Sequence, residues 1–202
     1  MLKKYLIVIF IILSFIISKD IFLKSNTDAS YTEIIKKFKK DYESTEKISS
    51  ESLYEYKEFL YENGAKSDKF IIDTYIKYVD NIISQEEEEN IKTNIYESKY
   101  LNSKILGGKL LYKYYLENNK ATEAKELIID IFNQIKRSQF KNNEDEIVYF
   151  LEMISSEAND KSISIEILED LQDNEYITDR IKLKIYDELR YLYLYINNYA
   201  LA

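Results

Sequence analysis

The sequence predicts an all-α chain, in which an apolar N-terminal helix precedes an array of antiparallel helical hairpins. Proline is absent and glycine occurs only at Gly64, Gly107 and Gly108, so the residues on which strand turns depend are nearly missing. Apolar residues recur at steps of three and four, the period of amphipathic helices and not of alternating strands. Asparagines, which tolerate left-handed backbone and end helices almost as glycine does, punctuate these runs.

The first element is the leader. Behind Lys3 and Lys4, the residues Tyr5, Leu6, Ile7, Val8, Ile9, Phe10, Ile11, Ile12, Leu13, Phe15, Ile16 and Ile17 form an apolar run broken only by Ser14. Two readings of it stay open. A cleaved signal peptide fits the basic start and the length, but Ile16-Ile17-Ser18 offers a small residue only at the cut. An uncleaved anchor from Tyr5 to Leu23 reaches about 28 Å, close to the ~30 Å hydrocarbon core, with Lys19 and Asp20 snorkelling at the outer boundary. We favour the anchor. Lysines on both sides of the segment do not set its direction by count, yet so short a basic start sends the following domain outward. The expected location is therefore membrane-anchored with an extracytoplasmic domain, and the alternative is secretion.

Composition divides the chain into an anchor or signal segment at 1–24, a short polar linker at 25–30 and a helical repeat-like domain at 31–202. Cysteine is absent, which excludes a lipid-modified N-terminal cysteine and leaves stability to the apolar core. Residues 1–24 hold four lysines and one aspartate, so against a whole-chain charge of −8 the remainder carries −11. That balance argues against nucleic acid as a ligand, because phosphate neutralisation needs clustered Lys and Arg. It equally disfavours lying flat on an anionic membrane.

Helices are expected at 31–47, 51–62, 67–84, 86–103, 104–118, 121–137, 144–158, 162–173 and 175–197. Ser30 with Glu33 and Ser84 with Glu87 have capping-box spacing and mark two starts. Ile71, Tyr75, Tyr78 and Ile82 form one apolar stripe, and Ile72, Ile76, Val79 and Ile83 repeat it one residue on. Ala124, Ile128, Ile131 and Ile135 follow the same rhythm, as do Ile147, Phe150, Leu151 and Ile154. Ile181, Ile185, Leu189, Leu192 and Ile196 complete the set. Turns are expected at Asn63-Gly64-Ala65, Asn118-Asn119-Lys120, Asn142-Asn143, Asn159-Asp160-Lys161, Asp173-Asn174 and Asn197-Asn198.

One pattern occurs twice. Leu111, Tyr115, Asn119 and Ala124 stand at the same relative offsets as Leu189, Tyr193, Asn197 and Ala202, and Tyr56, Leu60 and Gly64 echo them more weakly. This resembles the tetratricopeptide repeat, a helical hairpin in which a leucine, a tyrosine, a turn glycine and an alanine hold those places. Asn replaces the turn glycine, Tyr112 and Arg190 sit where a small residue is usual, and no proline closes a unit. The two copies lie 78 residues apart, so the units are diverged ones of about 39 residues where the family period is about 34. The resemblance implies an array of antiparallel helical hairpins, and a chain stopping at Ala202 would leave its last hairpin without a polar cap, as expected of a C-terminally truncated array. A leader followed by such repeats is also similar to the extracytoplasmic region of anchored bacterial histidine kinases or diguanylate cyclases, whose catalytic domains are not in this sequence.

Catalysis is disfavoured by elimination. Histidine and cysteine are both absent, so Ser-His-Asp and Cys-His triads and zinc sites of the usual ligands are impossible. Gly107-Gly108-Lys109 lacks the flanking residues of a phosphate loop and reads as close helix packing. Glu86 to Glu89 point around a helix and do not converge, so they read as a solvated helix start and not as a calcium site. Tyr112, Tyr114 and Tyr115, and Tyr191, Tyr193 and Tyr195, flank the two hairpin turns. They can line a groove for a protein, peptide or glycan partner, or fill helix seams with their rings. The sequence thus leads to three expectations, all without a catalytic residue, cofactor or metal: an anchored interaction module, the sensory region of a larger receptor, or a secreted or surface helical protein.

Overall fold

The computed structural model describes residues 27–44, 47–135, 140, 143–157 and 161–197. The expected anchor at 1–24 lies outside them, as does the second repeat's turn beyond Asn197. Among the described residues there are nine α-helices and no strand: α1 (27–44), α2 (Ser50–Asn63), α3 (Lys66–Tyr78), α4 (Gln85–Glu97), α5 (Leu101–Glu117), α6 (Ala121–Asn133), α7 (Glu144–Glu157), α8 (Lys161–Gln172) and α9 (Asp179–Asn197). Among those residues no helix is long and apolar enough to cross a membrane.

All nine expected helices form, and their ends show where side chains override the apolar rhythm. Residues 27–30, expected as linker, already belong to α1. Ser30 consequently lies inside the helix, and Glu33 pairs with Lys36 at 2.8 Å instead of closing a capping box. At α4 the box does form, with the Glu87 carboxylate accepting from the Ser84 N–H (3.2 Å) and hydroxyl (3.1 Å). Glu87 also accepts from Tyr78 (2.6 Å) and Lys77 (3.3 Å), which ties the end of α3 to the start of α4. Helix α3 therefore stops at Tyr78 and not at 84, leaving Ile83 buried and Ile82 exposed in the connection.

The expected helices 86–103 and 104–118 meet at a different place. Asp68, fully buried at the start of α3, accepts backbone N–H bonds from Ala65 (2.9 Å), Lys99 (3.1 Å) and Tyr100 (3.1 Å). Those bonds hold residues 98–100 out of helical pairing, so α4 ends at Glu97 and α5 begins at Leu101. The Lys104 ammonium then donates to the Ile95 (2.7 Å) and Tyr96 (3.1 Å) carbonyls, closing the free end of α4. Asn119 is the only non-glycine residue with positive φ among the described ones, at 56°, and the Lys120 N–H reaches the Tyr115 carbonyl at 2.8 Å across the α5–α6 turn.

Packing follows an alternating rule. Helices α3, α5, α7 and α9 lie side by side, each against the next, while α4 rests on α3 and α5, α6 on α5 and α8, and α8 on α7 and α9. Two layers of antiparallel neighbours result, an arrangement compatible with a helical-repeat fold. Leu111, Tyr115 and Ala124 of the first sequence match are all buried in this core, as are Tyr56 and Leu60 of the weakest one.

Gly107 sits where α5 passes closest to α3 and α4. A Cβ built there lies 2.7 Å from Ile95 Cγ1 and 2.8 Å from Ile71 Cδ1, two neighbours from two different helices. Gly107→Ala gains helix propensity of about 1 kcal/mol but overpacks that crossing by about 1–3 kcal/mol, so a net loss of up to about 2 kcal/mol is expected in urea unfolding. A more stable variant would show that the crossing has slack.

Helix α1 stands apart from the alternation. Its Tyr31 ring lies 4.9 Å from Tyr100 and 5.7 Å from Phe59, and Phe38 meets Tyr56 edge-on at 5.5 Å. Farther along, Tyr42 meets Tyr149 of α7 at 5.2 Å and shares a 2.7 Å hydrogen bond with Ser156. Helix α1 therefore runs along a trough between α2 and α7 with α5 as its floor, crossing the array instead of extending it.

Candidate functional site

Where α1 ends, the trough stays open. A groove of about 550 Å³ is lined by Tyr42 of α1, by Ser155 and Ser156 of α7, by Lys161 of α8 and by Lys184, Glu188 and Tyr191 of α9. Each helix contributes for a local reason. Tyr42 is carried there by the apolar face Ile35, Phe38 and Tyr42, Lys161 opens α8 while its ammonium donates to the Ser155 carbonyl at 2.9 Å, and Tyr191 stands one residue before the buried Leu192. Lys184 bridges Glu152 (2.7 Å) and Glu188 (2.8 Å), and Glu188 also accepts from the Ser155 hydroxyl. The floor is thus a pre-paired polar network, and the walls are aromatic.

The six tyrosines singled out by sequence separate here. Tyr191 and Tyr195 are 55% and 63% exposed and lie 6.5 Å apart ring to ring; Tyr191 lines the groove, and Tyr195 stands beside it with the Lys161 ammonium 5.9 Å from its ring. Tyr193 turns to the other side of α9, where its hydroxyl donates to Glu169 of α8. Tyr112, Tyr114 and Tyr115 are buried in the core and present no face to a partner. Burial, helped by the neighbouring Glu88, drives the Tyr115 phenol well above its ordinary range. The structure therefore brings two of the six to one surface.

The glutamates at 86–89 fan apart. Glu87 serves Ser84 and Tyr78, whereas Glu88 pairs with Lys120 at 3.1 Å. Among the described residues no group of three or more acidic side chains is placed to hold a metal ion.

A second cluster escaped the sequence reading. Glu146, 4% exposed in the first turn of α7, accepts the Tyr31 hydroxyl beside a cavity of about 490 Å³. Burial above all, and then the adjacent Asp145, push its carboxyl up to about 7, although the Tyr31 bond acts the other way. Spacing held the clue. Glu146 precedes Ile147 and stands four residues before Phe150, on the inward stripe, whereas Glu144 and Asp145 face out to Arg180 at 3.4 and 2.6 Å.

Fold and groove define a class: an all-helical, two-layer array with an aromatic-walled trough. No protein-family model matches this chain, and no curated protein and no solved structure matches it.

Proposed function

We propose that this chain is a tetratricopeptide-like helical-repeat module that recognises a protein or peptide partner by surface contact, without chemistry of its own. In this reading the apolar N-terminal segment holds it at a membrane with the helical domain on the extracytoplasmic side. Support for the repeat comes from the alternation of α3, α5, α7 and α9 and from the buried Leu111, Tyr115 and Ala124 around the Asn119 turn. The observation that carries the binding role is the groove beside Tyr191. The largely exposed Tyr191 ring stands there over paired charges with the exposed Tyr195 ring 6.5 Å beyond it, and aromatic rings are frequent anchors of protein and peptide recognition. The domain's strong negative charge favours a partner segment rich in Lys and Arg.

Affinity capture with the full chain, wild type against Tyr191→Ala, tests this reading. A partner retained by the wild type should be lost at least about tenfold by the variant, with helicity unchanged because the side chain is exposed. Equal capture by both proteins would remove the groove from the account, and no capture by either would remove the binding role.

A further inference from the structure

Helix α1 covers the inner face of the array, and its attachment is part grease and part polar joint. Ile34, Ile35, Phe38 and Tyr42 are buried, Phe38 against Tyr56 of α2 and Tyr42 against Tyr149 of α7, with the Lys109 ammonium of α5 5.4 Å from the Tyr42 ring. Along the α1–α7 seam run three polar contacts: the Tyr31 hydroxyl on Glu146, the Lys39 ammonium on Asp145 at 3.0 Å, and Tyr42 with Ser156 at 2.7 Å. Only the first places a carboxylate out of water.

The groups facing Glu146 are unequal to a full negative charge. From α1 come Asp28, Tyr31, Lys36 and Lys39, from α2 Tyr56, from the start of α5 Tyr100, from its own helix Glu144 and Asp145, and from α9 Arg180. All three nearby cations are committed elsewhere, Lys36 to Glu33, Lys39 to Asp145 and Arg180 to Asp145 and Glu144. The hydrogen bond that Glu146 accepts comes from a neutral phenol. An ionised carboxylate in that position lacks a paired cation and most of its hydration, which the open cavity beside Tyr31 supplies if α1 tilts away.

We propose that α1 is a latch over the inner face of the array, closed while Glu146 is protonated and loosened when Glu146 ionises. The sign follows from linkage. Glu146 titrates about 7 in the closed state against an ordinary 4.5, so closure is strongest below the ordinary value and weakens as pH rises through neutrality. Opening uncovers Tyr56, Phe59 and Tyr149, the aromatic surfaces that Tyr31, Phe38 and Tyr42 now cover, and lengthens the groove beside Tyr191 toward α5. The latch concerns the docking of α1 alone and stands whether or not a peptide binds at Tyr191.

Hydrogen exchange on the full chain in detergent, from about pH 5.5 to about pH 8.5 and corrected for intrinsic chemistry, tests it with α6 as internal reference. Protection of α1 should fall at least about tenfold across that range while α6 holds constant, and Glu146→Gln should abolish the fall. Tyr31→Phe removes the one bond that favours the ionised form, so its α1 transition should move to higher pH. Flat α1 protection in the wild type, the same fall in Glu146→Gln, or an unmoved transition in Tyr31→Phe would each overturn the latch.

Discussion

Replacing Phe132 with alanine is expected to lower the unfolding free energy by about 3–5 kcal/mol. Phe132 is fully buried on α6, stacks on Phe150 of α7 at 5.5 Å and tilts against Phe140 at 6.5 Å. It therefore joins the two halves of the array, on a face where aromatic pairing adds to area burial. Removal leaves a void walled by two rings that cannot collapse into it without moving their helices. Urea unfolding followed by circular dichroism should show an earlier midpoint with little change in slope. A loss below about 1 kcal/mol would mean that α6 and α7 do not meet as described.

Asp68→Ala is expected to cost about 3–4 kcal/mol, with its damage concentrated at one break in the chain. The carboxylate accepts three backbone N–H bonds, from Ala65, Lys99 and Tyr100, and bonds to a charged acceptor contribute about 1.5–3 kcal/mol each before non-additivity. Two of those donors belong to the α4–α5 connection, so its amides should exchange faster long before the whole chain unfolds. Asp68→Asn keeps one acceptor oxygen and should recover about half of the loss. Equal exchange at Lys99 and Tyr100 in wild type and Asp68→Ala would show that the break has another cause.

That break also marks the limit of what residue order reveals. The nine described helices were legible, most plainly in α3, α6, α7 and α9, where the three-and-four rhythm of apolar residues is unbroken. Helix ends were legible only where the capping residue is adjacent, as with Ser84 and Glu87. Asp68 acts across 31 positions to end one helix and start the next, and no local spacing announces such a partner. Ser30 and Glu33 show the converse failure, since the spacing is right but the helix has already begun at residue 27.

The site was half legible. A tyrosine-rich α9 pointed to Tyr191 and Tyr195, yet the same composition argument selected Tyr112, Tyr114 and Tyr115, which the α5–α6 hairpin buries. Tyrosine counts do not separate a ring that seals a seam from one that faces water, because both keep the apolar spacing. Glu146 was hidden by its neighbours for a related reason. It follows two other acids, Glu144 and Asp145, and only the register with Ile147 and Phe150 picks out the one that points inward.

The path of α1 across the inner face is what joins the groove, the latch and the array, and zero-length carbodiimide crosslinking of the full chain tests it most directly. Lys39 and Asp145 stand 3.0 Å apart across the α1–α7 seam, 106 positions apart in sequence. Mass spectrometry should recover the peptide carrying Lys39 joined to the peptide carrying Asp145, beside a Lys37–Glu55 product from the 2.6 Å pair on the α2 side. Lys39 found joined only to acids of its own helix, such as Glu43, would place α1 off the array and contradict that path.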